Sequence, residues 1–432
     1  MALVCAYTCL NPQTQRRKDG GGGQDRLILE GLRAKLQKGK RVRRLVAHIG
    51  VLLAAASLGT AALAQGWDGT IAPYQAFPGN AQFDLNASAE GALFSPHGGQ
   101  RASGALKLSP RLHRDYDSGL VLGLNATLTA SDVLSRGRYD GDVIEKIYGD
   151  VRTGLGRLEI GQSDGGAYDL AISGPKVDAA VSLDNPQITF FRDPSTGRAF
   201  TDIFSLRTQI GASSNYAKFS YVSPSLLGAQ LALSFTPNQA KLGIPFLHAG
   251  PHVPGRQVDI WEGAIQYSDE FGDWTLSAYG GGAWGRGEHK LPGQEGVSDL
   301  GAGLRADYQA SDEMMVSLGG AWRQSNAYAF QIARSFQANT SSVMQASGSI
   351  SYGDWVAGLE VGSGDAGSFG AMPHLGLDGY QASLGYVLGN SIQVTGGWQR
   401  LTYHRSSGKF YNGAAHIGLD AGFLHLTVKT SN

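Results

Sequence analysis

The sequence predicts an all-β fold: a transmembrane antiparallel β-barrel of about sixteen strands. Three observations predict it. From Ala81 to Lys429, segments of about ten residues alternate apolar and polar positions, and each ends in a turn. The connections alternate as well, one short and the next long. Ahead of the repeat lies a basic and then apolar stretch of the kind that directs export. Period-two alternation marks a strand with two unlike faces. A meander with short turns at one rim and long loops at the other is the signature of a bacterial outer-membrane barrel. A sheet in lipid must close, because an open edge would leave backbone groups unpaired in hydrocarbon.

The N-terminal segment comes first. Lys38, Lys40, Arg41, Arg43 and Arg44 form a basic region, Leu45–Leu58 is the apolar run, and Ala62-Leu63-Ala64 is an A-x-A site. The run is short and ends in small residues, so it reads as a secretory signal rather than a membrane helix. Cleavage is expected between Ala64 and Gln65. The residues before the signal form an N-terminal extension with Cys5, Cys9, a Gly20–Gly23 tract and no clear periodicity. Residues 65–80 read as a periplasmic lead-in, and 81–432 as the barrel.

Composition narrows the function classes. Residues 1–64 hold 11 Lys and Arg and 3 Asp and Glu, out of 36 and 36 in the chain. The remaining 368 residues therefore keep 25 basic and 33 acidic groups, a net of −8. An acidic mature chain does not point to nucleic acid. Both cysteines lie in residues 1–64, which excludes a disulfide or thiolate metal site from the barrel. The 62 glycines follow no three-residue period. They fall in turns and inside strands, where they suit tight bends and close backbone approach.

Strands are expected near 81–93, 101–113, 119–130, 143–153, 157–162, 206–223, 229–236, 257–268, 273–284, 298–309, 314–325, 340–352, 355–363, 375–387, 391–403 and 419–429. Residues 411–418 alternate weakly. A seventeenth strand there would run parallel to the first, so 404–418 is assigned to a long final loop. Parity gives each strand two faces. Leu106, Leu108 and Leu112 oppose Lys107, Ser109 and Arg111; Leu158 and Ile160 oppose Arg157 and Glu159; Leu304 and Tyr308 oppose Arg305 and Asp307. A mid-bilayer Lys or Arg costs roughly 2–4 kcal/mol, so the charged face belongs to the lumen. Aromatics near strand ends, among them Tyr221, Trp261, Tyr267, Trp274, Trp322, Tyr352, Trp355, Tyr380, Tyr386 and Trp398, fit interfacial girdles.

Two stretches carry a family resemblance. YGDVRTGLGRLEIGQSD (Tyr148–Asp164) is a strand, a Gly turn and a strand ending in a Gly-polar-polar-Asp step. NYAKFSYVSPSLLG (Asn215–Gly228) is a strand followed by a Ser-Pro…Gly turn. Both resemble the general (trimeric) porins of Gram-negative outer membranes, and with the meander the resemblance covers most of 81–429. The terminal aromatic residue usual in that family is replaced here by Lys429-Thr430-Ser431-Asn432.

The longest connection, Ser163–Phe204, lies between these stretches, and long unstructured loops are usually functional. The resemblance implies that it folds into the barrel and narrows it. It holds Asp164, Asp169, Asp178, Asp184, Asp193 and Asp202, of which Asp164, Asp169, Asp178 and Asp184 are the candidates that would then face the wall. By parity the basic wall candidates are Lys107, Lys146, Arg152, Arg157 and Lys218. Opposed charges would set a transverse field that polar solutes can align with.

Other motifs carry less. Gly362-Ser-Gly364-Asp-Ala-Gly367 matches G-x-G-x-x-G, but a strand follows where a dinucleotide site needs a helix. His248 and His252 have metal-ligand spacing, yet Gly250 and Pro251 oppose a helix there. No spacing singles out a Ser–His pair. The expectation is a homotrimeric outer-membrane porin, not an enzyme, without catalytic residues, metal or cofactor. It would pass ions and small hydrophilic solutes by diffusion and contact outer-membrane lipid. The alternatives are an outer-membrane barrel enzyme and a secreted all-β carbohydrate-binding protein.

Overall fold

The computed structural model describes residues 81–96, 101–131, 144–185, 191–197, 199–239, 257–288, 295–327, 336–368, 373–389 and 391–430. The export segment, its Ala64–Gln65 site, the lead-in 65–80 and the His248–His252 pair lie outside the described residues. The described residues form sixteen strands: β1 (Ala81–Pro96), β2 (Arg101–Asp115), β3 (Val121–Ser131), β4 (Ile144–Thr153), β5 (Gly156–Gln162), β6 (Ala217–Val222), β7 (Ala229–Asn238), β8 (Gln257–Phe271), β9 (Trp274–Gly287), β10 (Ser298–Ser311), β11 (Met314–Ala327), β12 (Phe336–Tyr352), β13 (Trp355–Ala366), β14 (Leu375–Leu388), β15 (Ile392–Arg405) and β16 (His416–Lys429).

Each strand pairs antiparallel with its chain neighbours, and β1 pairs with β16 to close the barrel. Closure runs in register from Ser88↔Lys429 to Pro96↔Ala421. Thr430 donates its N–H to the Ala87 carbonyl at 2.9 Å, which carries the seam one residue past β16. The even strand count follows from closure, since neighbours can alternate direction around a ring only in pairs.

Parity holds over most of the sheet, although β14–β16 also carry the paired Asp378, His404, Arg400 and Asp420 at outward positions. Leu304 and Leu359 are 67% and 64% exposed on the outer face, while Arg323 and Glu360, of opposite parity, are each 3% exposed. An apolar outer band over a charged inner face is what hydrocarbon contact demands. Aromatic pairs mark both rims. Trp274–Tyr308 and Trp355–Tyr386 lie near the short turns with centroids 4.7 Å apart, and Phe235–Trp261 lies toward the long loops at 4.5 Å. Trp322, Tyr380 and Trp398 sit in mid-strand rather than at strand ends.

Three boundaries differ from the sequence reading. β12 begins at Phe336, and β16 begins at His416, which takes in the end of the weakly alternating 411–418 segment. β6 covers only Ala217–Val222, so residues 206–216 belong to the preceding loop. Leu206, Ile210 and Ala212 are buried because they pack inside the barrel, not because they pair in its wall. The longest connection is therefore 163–216. Its described residues hold one helical turn, α1 (Gly166–Asp169), and a 3-10 turn at Phe200–Asp202.

This loop packs against the inward faces of β6–β16 and the far end of β1, in two apolar clusters. Ala167, Leu170 and Ile210 meet Ala232, Ile260, Ala264, Tyr279 and Ala283. Val181, Leu183, Phe200, Phe204 and Leu206 meet Leu377, Leu401, Tyr403, Ile417, Phe423 and Phe94. Two strand glycines permit the approach. A Cβ on Gly358 would meet Val177 Cγ2 at 2.7 Å, and one on Gly364 would meet Phe204 Cζ at 3.1 Å. Gly364 thus serves loop packing inside β13 and has no place in a phosphate-binding turn.

Candidate functional site

Polar anchors supplement the apolar packing. Glu360 Oε2 accepts hydrogen bonds from Ser182 Oγ at 2.6 Å, Leu183 N at 3.1 Å and Gln345 Nε2 at 3.2 Å, and its Oε1 accepts one from Gln381 at 3.1 Å. Gln393 Nε2 donates to the Val177 carbonyl at 2.7 Å, and Tyr403 OH donates to Phe204 O at 2.9 Å. On the other arm, Tyr279 OH donates to Ala167 O at 2.7 Å, and Ser213 N–H donates to Glu262 Oε1 at 2.9 Å.

The four candidate loop aspartates, Asp164, Asp169, Asp178 and Asp184, fall into two groups. Asp164 pairs with Lys146, and Asp169 Oδ2 lies 3.3 Å from Arg157 Nη2. These two join the loop to wall cations of β4 and β5. Asp178 instead meets His425 Nδ1 at 2.6 Å on β16, and Asp184 accepts from Lys176 at 2.6 Å within its own loop. The wall residues divide too. Lys107 lies 3.6 Å from Glu145, and Arg152 Nε donates to Asp150 at 2.7 Å. Lys218 is wholly buried. Its ammonium donates to the carbonyls of Ser163 and Ser214, so it fastens the two ends of the loop rather than facing water.

Burial, together with neighbouring Asp164 and Glu159, pushes the Asp169 carboxyl up to about 7. Burial also acts to raise Asp178, but its hydrogen bonds with His425 and the Ala180 N–H hold it below the usual carboxylate range.

Along β2–β5 the loop touches the wall through the Asp164 and Asp169 ion pairs. Beside it the inward faces carry Lys107, Arg111, Lys146, Arg152 and Arg157, all part-exposed. Asp150 lies beneath, shared by Asn125, Arg111 and Arg152. Sequence reasoning placed Arg111 on the polar face but did not single it out as a wall residue. It singled out none of Asp150, Glu262, Glu360 and His425 as site residues. Inward parity was the available signal for each, but parity does not say which inward groups the loop covers.

Comparison with solved structures bears on this architecture. The anion-selective porin from Comamonas acidovorans superposes with a TM-score of 0.51 at 12% identity, over 81% of this chain and 100% of that one. The chain has a porin-like barrel fold. OmpT, an outer membrane protein of Vibrio cholerae, matches at 10% identity over 82% of this chain and 99% of that one, with a TM-score of 0.48. A mutant of Rh. blastica porin matches at 14% identity over 80% and 99%, with a TM-score of 0.46. No protein-family model matches the sequence, and no curated protein does. In this porin-like barrel the charged groups of β2–β5 and the loop's Asp164 and Asp169 line the same side of the lumen, while Asp178 meets β16.

Proposed function

We propose that this chain is an outer-membrane porin: exported by the segment ahead of Gln65, it lets ions and small hydrophilic solutes diffuse through a water-filled lumen narrowed by residues 163–216. One observation carries the reading. A part-exposed charged wall on β2–β5 stands beside a loop that packs against the inner face of β6–β16. Such a lumen replaces part of a polar solute's hydration shell, whereas an apolar solute must displace ordered water without compensation. The homotrimer belongs to the same reading. β5 has seven residues and β6 has six, short of the roughly nine to eleven a tilted strand needs to cross hydrocarbon. A neighbouring subunit would cover that low wall better than lipid. Its mass in mild detergent tests this, and a monomer there would remove the trimer from the proposal.

Planar-bilayer conductance tests the pore. Deleting about Ile172 to Asp193 should raise single-channel conductance and admit larger sugars. A deletion within 240–256 is the control. Equal effects from both would mean that the lumenal loop does not set the size limit.

A further inference from the structure

Resting on the outer-membrane reading, we propose that the outer face of β15 and β16, in its half toward the long loops, is a contact between two copies of this chain. It starts from a break in the apolar band. On β9 the outward residues stay apolar over ten positions, from Trp274 to Trp284. At about 3.3 Å per residue and a tilt of roughly 40°, that span is about 25 Å, the height of the hydrocarbon. On β14 the outward face runs only six positions from Tyr386 to Tyr380, about 15 Å, before Asp378 follows. Tyr380 is the cross-strand partner of Arg400, and Arg400 of Asp420. A full-height lipid layer here would lay hydrocarbon against charge, which is unfavourable.

The charged groups are paired but not covered. Arg400 Nη1 lies 3.8 Å from Asp420 Oδ1, and His404 Nε2 lies 3.5 Å from Asp378 Oδ2. Ser363 Oγ donates to Asp378 Oδ1 at 2.8 Å. The Arg400 and His404 side chains keep 49% and 51% exposure, so their partners do not shield them. Two acids and two bases share the patch. It therefore offers an anionic headgroup no net attraction, whereas it is complementary in charge to a second copy of itself.

Shape agrees with charge. β15 presents an outward ridge of Trp398, Arg400 and His404, and β16 beside it presents a furrow at Gly418 and Gly422. Trp398 and Gly422 are direct cross-strand partners. A Cβ on Gly422 would meet nothing nearer than the Gly397 carbonyl at 3.9 Å, so packing within the chain does not call for glycine there. A two-fold axis along the membrane normal, passing between β15 and β16, sets the ridge of each copy into the furrow of the other. It also brings Arg400 toward the second copy's Asp420. Such a contact is isologous, because the same patch serves both copies. The patch lies six strands round the ring from the low wall of β5 and β6, so it joins copies through a second face.

The test uses the full chain expressed into outer membranes, with Thr402→Cys as reporter. Thr402 lies in register between Asp378 and Gly418 on the outward face. Both native cysteines lie in residues 1–64, so the reporter is the single thiol of the barrel. A short bis-maleimide should join two chains at Thr402→Cys but not at Ala278→Cys, on the outer face of β9. Arg400→Asp and Asp420→Arg, each added to the reporter, should lower the yield by about tenfold. Co-expressing those two variants should restore joining between unlike chains, although each has lost its internal ion pair. Gly422→Leu should block joining without any change of charge. No joining above the Ala278→Cys level, or a yield unmoved by the charge reversals and by Gly422→Leu, overturns the contact and leaves the outer-membrane reading standing. Chains absent from the outer membrane overturn that reading, and the contact with it.

Discussion

Replacing Glu360 with Ala should free the middle of the lumenal loop without unfolding the barrel. Glu360 accepts four hydrogen bonds, two from the loop and two from wall glutamines. Each bond to a charged acceptor contributes roughly 1.5–3 kcal/mol. Against this gross sum stands the cost of keeping the carboxylate out of water, several kcal/mol for a buried ion even after relaxation. Part of the remainder is recovered in the variant, because Ser182 Oγ already lies 3.1 Å from Asp184 Oδ1. The Leu183 N–H has no such substitute. The net loss is about 3 kcal/mol, or roughly a hundredfold in local opening. Hydrogen exchange followed by mass spectrometry, on the folded protein in detergent, reads this directly. Amides of 178–185 should exchange roughly a hundred times faster, while those of β13 and β14 stay protected. Glu360→Gln should give a smaller increase, because it keeps the volume but turns an amide N–H toward Gln381. Unchanged exchange at 178–185 in Glu360→Ala would mean that apolar packing alone holds the loop.

Two further predictions concern the faces and the pH response. Leu304→Arg, on the lipid side, should impair insertion by roughly 2–4 kcal/mol in a bilayer refolding titration. Ala105→Arg, on the lumen side opposite Glu90, should be tolerated, and equal defects would reverse the face assignment. Gly303 makes a poor lumen-side control, because a side chain there would run into the Ile172 carbonyl. Asp169, raised from 3.8 to about 7, binds its proton more tightly folded than unfolded. Its contribution to stability is therefore largest in acid and declines as pH rises from about 4 to 7. Over the upper end of that range, protonation also releases Arg157 to the lumen. Chloride preference should therefore increase from pH 8 to pH 6, and Asp169→Asn should flatten the response. An Asp169→Asn channel with the wild-type pH profile would place the titration elsewhere.

What the sequence by itself determined is the wall. A strand's side chains alternate with period two, so Leu106 beside Lys107, or Leu304 beside Arg305, declares the two faces locally. Turn residues recur at fixed spacing, and together they give sixteen strands with short and long connections in alternation. Local pattern also misled in one place. Residues 206–216 look like part of a strand because Leu206, Ile210 and Ala212 need burial, and burial inside a barrel leaves the same mark as burial in a sheet. Only the tertiary structure decided what the loop meets. Asp178 finds His425 across 247 positions of sequence, and Ser182 finds Glu360 across 178. Those pairings depend on the closed register of all sixteen strands, which no local window contains. The same holds for Lys218. Its parity marks it as inward, but the return of the loop to β6 is what buries it beneath two carbonyls. Inward-facing charge was legible residue by residue. Whether each charge meets water, a partner or the loop is settled by long-range packing.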